Sequence, residues 1–302
     1  MIWTLGVLIA LIAVAAIGLQ LAISRNGPAV LSMVDRVMGG SGGAELKAKI
    51  ATGEHPQQKL IVWAPEEHPA KDPLRPVLLF VHGGSWRWGD PEDYDFVGRA
   101  FVEQGFVVVL AGYRLEDAGK FPAMIEDTAR AISWAHAEIE RYGGDPQSIV
   151  ITGHSAGAYN VMMAALEESW LASHSLTSTD IAGVVGLSGP YDFLPLDSDS
   201  TIASFGHVEA GEALAATQPI NLTRADSPPM LLIHGEKDTL VGVRHSRDLA
   251  STVSEAGGEA KLELYPDMAH NDPLISIAAP WRKRRDIVPK IADFVRAQSR
   301  SD

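Results

Sequence analysis

The chain of 302 residues contains no cysteine. Disulfide bonds, thiolate-bound zinc and cysteine nucleophiles are therefore excluded, and the redox environment of the protein cannot be read from its sequence. Positive charge is also scarce. The sequence has 25 Lys and Arg residues and 38 Asp and Glu residues, which gives a formal net charge of -13. A surface of this sign repels nucleic acid, apart from a short basic run at residues 282–285. Nucleic acid is therefore not expected as a partner.

Charge of either sign is absent from Ile2 to Ile23. A helix of this length spans roughly 33 Å at about 1.5 Å per residue, enough for a hydrocarbon core of about 30 Å. A secretory signal normally carries Lys or Arg before its apolar part, so residues 1–25 indicate an uncleaved anchor, with export after signal cleavage as the alternative. The positive-inside rule favours a cytoplasmic catalytic domain, because the basic residues after the run are Arg25, Arg36, Lys47 and Lys49.

Glycine and proline are frequent just after the apolar run. Residues 26–44 contain Gly27, Pro28 and a Gly-Gly-Ser-Gly-Gly stretch, which is typical of a flexible connection. We therefore expect a tether at 26–44 and a catalytic domain at 45–302. Within that domain, residues 190–227 show no clear period between two predicted strands, which indicates a lid or a substrate-binding insertion.

Short apolar runs alternate with amphipathic stretches along the catalytic domain. The predicted strands are Lys59–Ala64, Val77–Val81, Phe106–Ala111, Ser148–Thr152, Ile181–Leu187, Met230–Ile233 and Lys261–Tyr265. The predicted helices are Tyr94–Gln104, Pro122–Arg141, Ala156–Glu168, Arg244–Ala256 and Arg284–Arg296. This alternation is typical of a mainly parallel sheet covered by helices on both faces, in which sites form at the carboxyl ends of the strands.

The strongest chemical signal is the pentapeptide Gly153-His154-Ser155-Ala156-Gly157. It follows a predicted strand directly and precedes a predicted helix directly. A strand-to-helix turn this tight forces the serine into a strained backbone conformation, and it needs glycines on either side because a side chain there would collide with neighbouring backbone. The pattern therefore predicts Ser155 as a nucleophile held at the top of the sheet.

A serine hydroxyl is a weak nucleophile, so Ser155 requires a base and a carboxylate that orients the base. Two residues follow late predicted strands in the expected order, Asp238 as the acid and His270 as the base. Glu236 and Asp267 are the competing carboxylates. The other histidines are interpreted as structural at strand ends or turns, or as part of the variable insertion, and they are His82, His154, His234 and His207.

Attack on a carbonyl creates an oxyanion, which backbone N–H groups must stabilise. A glycine-containing run, His82-Gly83-Gly84-Ser85-Trp86, follows a predicted strand. Its glycines allow close approach of the backbone to a substrate, so the predicted oxyanion donors are the N–H groups of Gly83, Gly84 and Ala156. This chemistry needs neither a metal ion nor a cofactor.

Together these residues resemble the α/β-hydrolase fold and, within it, the esterases and lipases related to hormone-sensitive lipase. The resemblance covers most of residues 57–298. Besides the two glycine motifs it includes Tyr113-Arg114-Leu115, Phe121-Pro122 and Asp127.

Three departures in the motifs separate the chain from the hormone-sensitive lipase pattern itself. Ser85 shortens the glycine run, His154 stands where the family usually has Asp before the nucleophile, and Ala158 follows Gly157. The oxyanion run is instead similar to that of bacterial feruloyl-esterase-like carboxylesterases and arylformamidases.

The resemblance implies a serine hydrolase that cleaves small carboxylic esters of short to medium acyl chain. An arylformamidase-type amidase or a peptidase is the alternative, because the same groups also cleave activated amides. An inactive binding module on the same fold is a more remote alternative.

Overall fold

The computed structural model describes residues 2–39, 43–67 and 72–299, and for residues 2–16 and Leu19 it describes the backbone alone. The strands of the described part are β1 Ala44–Ala51, β2 Lys59–Pro65, β3 Arg75–Val81, β4 Val107–Ala111, β5 Gly144–His154, β6 Gly183–Leu187, β7 Met230–Gly235 and β8 Ala260–Tyr265. Its α-helices are α1 Ile2–Gly39, α2 Asp95–Val102, α3 Ala123–Glu138, α4 Ala156–Leu166, α5 Glu168–Ala172, α6 Asp199–Phe205, α7 Glu212–Ala215, α8 Arg244–Glu255, α9 Asp272–Ile275 and α10 Ile287–Gln298.

The eight strands form one sheet in the order β1-β2-β4-β3-β5-β6-β7-β8. Pairing is antiparallel for β1 with β2 and for β2 with β4, and parallel from β4 to β8. The predicted mainly parallel sheet is therefore confirmed. One strand was not predicted, the edge strand β1, which is antiparallel and only partly buried.

Helices cover both faces of the sheet, as the alternating pattern predicts. One apolar cluster lies between the sheet and helices α3, α4 and α8, and a second lies between the sheet and helices α2 and α10. The central strands β4 and β6 are buried along their whole length. Burial on both faces explains why their sequences are continuously apolar rather than alternating.

The first part of the segment expected to be a flexible tether, residues 26–39, differs in the structure, and residues 40–42 lie outside the described set. Helix α1 has one non-helical residue, Asn26, and continues as a helix from there to Gly39. The second part of α1 packs on the catalytic domain, because Leu31 contacts the apolar cluster and the Ser32 hydroxyl donates to the Asp93 carbonyl oxygen at 2.8 Å. Glycine and proline at the start of this segment mark the break at Asn26 rather than a disordered linker.

A buried ion pair joins this part of α1 to the domain. Asp35 is fully buried, and its Oδ2 accepts from Arg99 Nε at 2.8 Å. The other oxygen, Oδ1, accepts from the backbone N–H of Ala279 at 2.7 Å. Arg99, itself 3% exposed, also donates to the Ser32 carbonyl oxygen at 3.0 Å. Hydrogen bonds from two distant parts of the chain therefore compensate the charge of Asp35.

The structure does not confirm the predicted membrane span. Within the described part of the chain, no helix combines the length and the apolar character that crossing a membrane requires. The side chains of residues 2–16, which make up most of the predicted span, lie outside the described set.

Replacement of Asp35 tests whether α1 belongs to the folded domain. We expect Asp35→Ala to lower the free energy of unfolding by about 3–5 kcal/mol, because it leaves the Arg99 charge buried without its partner. Arg36→Ala is the control, since Arg36 is mostly exposed in its pair with Asp95, and it should change stability by less than about 1 kcal/mol. Urea unfolding of the full chain measures both, and equal stabilities would contradict the packing of α1.

Candidate active site

Ser155 occupies the turn between β5 and α4. Its φ is 55° and its ψ is -120°, a left-handed conformation that a residue with a side chain rarely adopts. The Ser155 N–H donates to the Leu187 carbonyl oxygen on β6 at 2.8 Å, which ties the turn to the neighbouring strand. The side chain is 7% exposed at the carboxyl end of the sheet. The structure thus has the strained turn that the pentapeptide predicts.

Gly157 permits this turn because the backbone of the adjacent strand passes close to it. A Cβ atom on Gly157 would lie 2.2 Å from the Val81 carbonyl oxygen and 2.5 Å from that of His82. Any side chain at position 157 would therefore push α4 away from the end of β3. The first turn of α4 and the start of the oxyanion run are held together by backbone contact alone.

Ser155, His270 and Asp238 form a continuous chain of hydrogen bonds. The distance between Ser155 Oγ and His270 Nε2 is 2.9 Å, and that between His270 Nδ1 and Asp238 Oδ2 is 2.7 Å. A carboxylate only accepts, so Nδ1 of His270 carries the proton and Nε2 is the acceptor for the serine hydroxyl. The three residues predicted from the sequence are thus within hydrogen-bond distance of one another.

Asp238 is held as a carboxylate by four donors. Its Oδ1 accepts from the backbone N–H groups of Leu240 at 2.9 Å and Val241 at 2.8 Å. Burial alone would raise the pKa of Asp238, but hydrogen bonds from His234 and His270 outweigh burial and hold this pKa well below its usual range. The competing carboxylates lie elsewhere, since Glu236 pairs with Arg247, and Asp267 lies 3.4 Å from Arg285.

The predicted oxyanion donors lie beside the nucleophile. A Cβ atom on Gly83 would be 3.3 Å from Ser155 Cβ, so the Gly83 backbone adjoins the serine. Gly84 has a φ of +123°, and a Cβ there would lie 2.0 Å from the Trp88 carbonyl oxygen, which requires glycine. Ala156 is the first residue of α4, where an N–H has no acceptor within the helix.

A cavity of about 270 Å³ opens onto Ser155. Trp86 and Phe193 line it, and Tyr159 and Phe205 lie directly behind them, with ring centroids 5.0–6.1 Å apart. The predicted insertion at 190–227 contributes much of the wall through Pro190, Leu194, Pro195, Asp197, Ser198, Ser200 and Thr201. The aromatic residues therefore close the floor, and the insertion forms the side of the cavity.

Three of the histidines that the sequence analysis interprets as structural contact backbone carbonyl groups or an aromatic ring. His154 donates from Nε2 to the His270 carbonyl oxygen at 3.1 Å, and burial lowers the pKa of His154 to about 3. His82 stacks on Tyr113 with ring centroids 4.6 Å apart, and burial lowers its pKa to about 4. His207 contacts the Phe121 carbonyl oxygen at 2.7 Å, away from Ser155.

His234 lies closer to the predicted triad than its strand-end position indicates. Its Nε2 lies 3.1 Å from Asp238 Oδ2, the same oxygen that accepts from His270. The spacing of four residues to Asp238 was visible in the sequence, but the contact depends on how the loop after β7 turns.

Within the described residues, no group of three or more His, Asp or Glu side chains is arranged to hold a metal ion.

Comparisons with known proteins give a family match and relatives that are named as esterases. The BD-FAE family profile matches residues 62–253. The esterase LipQ of Mycobacterium tuberculosis is 30% identical over 234 residues, which are 73% of this chain and 55% of LipQ. The isoprenylcysteine alpha-carbonyl methylesterase ICME of Arabidopsis thaliana is 27% identical over 260 residues, 80% of this chain and 60% of ICME. The chain thus spans little more than half the length of these relatives.

Solved structures resemble the whole catalytic domain. A tributyrin phosphonate inhibited form of esterase B from Lactobacillus rhamnosis superposes with a TM-score of 0.77 at 18% identity, and the match covers 94% of each chain. A bacterial heroin esterase superposes with a TM-score of 0.68 at 23% identity and covers 89% of this chain and 91% of its own. Likenesses at such identities show the fold, which is that of the α/β-hydrolases.

Proposed function

The chain belongs to the BD-FAE family, and on this premise we propose that it is a carboxylic ester hydrolase with Ser155 as nucleophile, His270 as general base and Asp238 as the carboxylate that orients the base. The proposal rests on two hydrogen bonds. One joins Ser155 Oγ to His270 Nε2 at 2.9 Å, and the other joins His270 Nδ1 to Asp238 Oδ2 at 2.7 Å. The relatives named as esterases support the ester as the substrate class.

The proposed reaction has two halves. His270 Nε2 accepts the Ser155 proton while Oγ bonds to the ester carbonyl carbon, and the carbonyl electron pair moves onto oxygen. As the tetrahedral intermediate collapses, the bond to the leaving alkoxide breaks and His270 returns the proton to it, so an alcohol departs and an acyl-serine remains. Water then attacks the acyl-serine with the same proton transfers, and it releases the carboxylic acid and free Ser155.

The oxyanion of both intermediates requires donors that are already in place. The N–H groups of Gly83, Gly84 and Ala156 are proposed for this role. Support comes from the contact of the Gly83 backbone with Ser155 and from the position of Ala156 at the start of a helix, where N–H groups point at an anion.

The cavity beside Ser155 supports a preference for short acyl groups. Its volume of about 270 Å³ is small compared with those of most ligand-binding sites. The buried rings of Trp86 and Phe193 form part of its wall. A larger acyl group would have to displace an aromatic side chain that is packed against Tyr159 and Phe205.

We also propose that the N-terminal run attaches the enzyme to a membrane. This proposal rests on the absence of charge from Ile2 to Ile23. The packing of residues after Asn26 on the domain means that removal of residues 1–25 leaves the buried pair of Asp35 with Arg99 intact.

Activity on a panel of p-nitrophenyl esters tests the catalytic assignment. The full chain should hydrolyse acetate and butyrate esters, and Ser155→Ala should lower kcat by about 10⁴-fold or more, because removal of a triad member eliminates the acyl-enzyme route. A fluorophosphonate should label Ser155. Ser133→Ala on α3 is the matched control and should keep full activity and labelling.

Turnover that persists in Ser155→Ala would refute the proposal. The same panel includes N-formylkynurenine and an aminoacyl anilide, since faster cleavage of these amides would assign the arylformamidase or peptidase chemistry instead. A wild-type chain that neither turns over substrate nor reacts with the fluorophosphonate would indicate the inactive binding module.

Acyl-chain preference tests the assignment of the cavity. Phe193→Ala should raise kcat/KM for p-nitrophenyl octanoate relative to butyrate by about tenfold. The space left by the ring would allow roughly two additional CH₂ groups of the octanoyl chain to be buried, and their burial contributes about 1.4 kcal/mol, which is a factor of about ten. Phe193→Leu serves as the milder variant if the alanine substitution weakens folding. Phe294→Ala removes a partly buried ring on the opposite face of the sheet, and the ratio should not change. An unchanged ratio in both Phe193 variants would place the acyl group elsewhere.

Membrane attachment is tested by fractionation of cells that produce either the full chain or a chain lacking residues 1–25. The full chain should sediment with membranes and be released only by detergent, whereas the shortened chain should be soluble with the same ester hydrolysis rate. If the two chains fractionate alike, the N-terminal run is not an anchor.

A further inference from the structure

His234 is a fully buried histidine at the end of β7 whose two ring nitrogens both have partners. Nε2 lies 3.1 Å from Asp238 Oδ2 and 2.8 Å from the Val241 carbonyl oxygen. Nδ1 lies 2.7 Å from the Ser246 hydroxyl oxygen on α8. The ring is 0% exposed, so no bulk water replaces these contacts.

These partners determine which nitrogen of His234 carries the proton. Asp238 Oδ2 and the Val241 carbonyl oxygen can only accept, so Nε2 must be the donor to both. Nδ1 is then an acceptor in the neutral ring, and the Ser246 hydroxyl can donate to it. Every polar atom of the neutral ring is satisfied in this one tautomer, which points its N–H at the carboxylate.

The carboxylate of Asp238 is therefore shared between two imidazole rings. Oδ2 accepts from His270 Nδ1 at 2.7 Å and from His234 Nε2 at 3.1 Å. Oδ1 faces the opposite way, toward the backbone N–H groups of Leu240 and Val241. With donors on both oxygens, rotation of the carboxylate breaks at least two hydrogen bonds, so its orientation toward His270 is fixed.

We propose that His234 is a positioning residue, which holds the Asp238 carboxylate ionised and directed at His270 through a single N–H donor. The inference rests on the proposed function, because it assigns Asp238 the task of orienting the catalytic base. Loss of this donor makes Asp238 a stronger hydrogen-bond acceptor and leaves it freer to rotate. The first effect stabilises the protonated form of His270, and the second weakens the alignment of its ring with Ser155.

Other titratable groups around His234 do not supply the same effect. His154 lies at the end of β5 and His245 lies on α8, and burial lowers their pKa values to about 3 and about 4, so both rings are neutral above pH 5. Arg244 on α8 and Asp192 in the insertion face the same region and pair with each other at 3.4 Å.

Two amide substitutions at position 234 separate the donor from the rest of the ring. The amide nitrogen of Gln reaches as far as Nε2 of histidine and can donate to Asp238, whereas that of Asn reaches only as far as Nδ1. His234→Asn thus keeps a polar group near Ser246 but removes the donor to Asp238. His136→Asn is the matched control, because His136 lies 3.7 Å from Asp180 in a partly exposed pair on α3, outside the site.

The experiment measures kcat, KM and the pH profile of kcat/KM on p-nitrophenyl butyrate, together with the far-downfield proton resonance of the hydrogen bond between His270 and Asp238. His234→Asn should lower kcat by about tenfold with KM within about twofold, move the acid limb of kcat/KM upward by about half a pH unit, and shift the downfield resonance. His234→Gln should restore all three toward wild type, and His136→Asn should change none.

A different pattern would overturn the inference. If His234→Asn leaves the acid limb and the downfield resonance unchanged, or if His234→Gln is impaired as much as His234→Asn, then His234 has a structural role only. The resonance is measured without substrate. Absence of ester hydrolysis in the wild type would therefore refute the proposed function, while the response of the resonance to the two substitutions would still decide the role of His234.

Discussion

The strained turn at Ser155 is the constraint on which the rest of the site depends. A residue with φ of 55° and ψ of -120° persists only where its surroundings hold it, and here β5, α4 and the N–H bond to Leu187 do so. Gly157 lies against the carbonyl oxygens of Val81 and His82, so the same turn also fixes the start of the oxyanion run. The proposed nucleophile and the proposed oxyanion donors therefore lie on segments in close backbone contact, which explains why both motifs are rich in glycine.

Much of the fold and the central part of the site follow from local sequence signals. Continuous apolar strands predicted the parallel sheet, and a parallel sheet brings the residues after its strands to one edge. Ser155, Asp238 and His270 each follow a strand, and they meet there within hydrogen-bond distance. His270 contacts Asp238, whereas Glu236 pairs with Arg247 and Asp267 lies 3.4 Å from Arg285, and only the folded loops distinguish these three carboxylates.

The features that sequence reasoning missed depend on contacts between distant residues. Gly27 and Pro28 are typical of a linker, but the segment after Asn26 is helical because it packs on the domain and because Asp35 pairs with Arg99, 64 residues away. The proposed role of His234 depends on how the loop after β7 folds, because Asp238 and the Val241 carbonyl oxygen set the tautomer, and on Ser246 from another helix, which contacts Nδ1. The edge strand β1 did have a signal, since Leu46, Ala48 and Ile50 alternate with lysines, and it was detectable by period alone.

Several imidazole rings surround the proposed catalytic centre, and burial sets the charge of two of them. Burial lowers the pKa of His154 to about 3 and that of His245 to about 4, so neither takes up a proton near neutral pH. A neutral ring still acts through its N–H group, as His154 does toward the His270 carbonyl oxygen. Among the residues that the structure describes, only His270 contacts both Ser155 and a carboxylate. In the proposed mechanism, His154 holds the backbone of His270, and neither His154 nor His245 offers a second acceptor for the Ser155 proton.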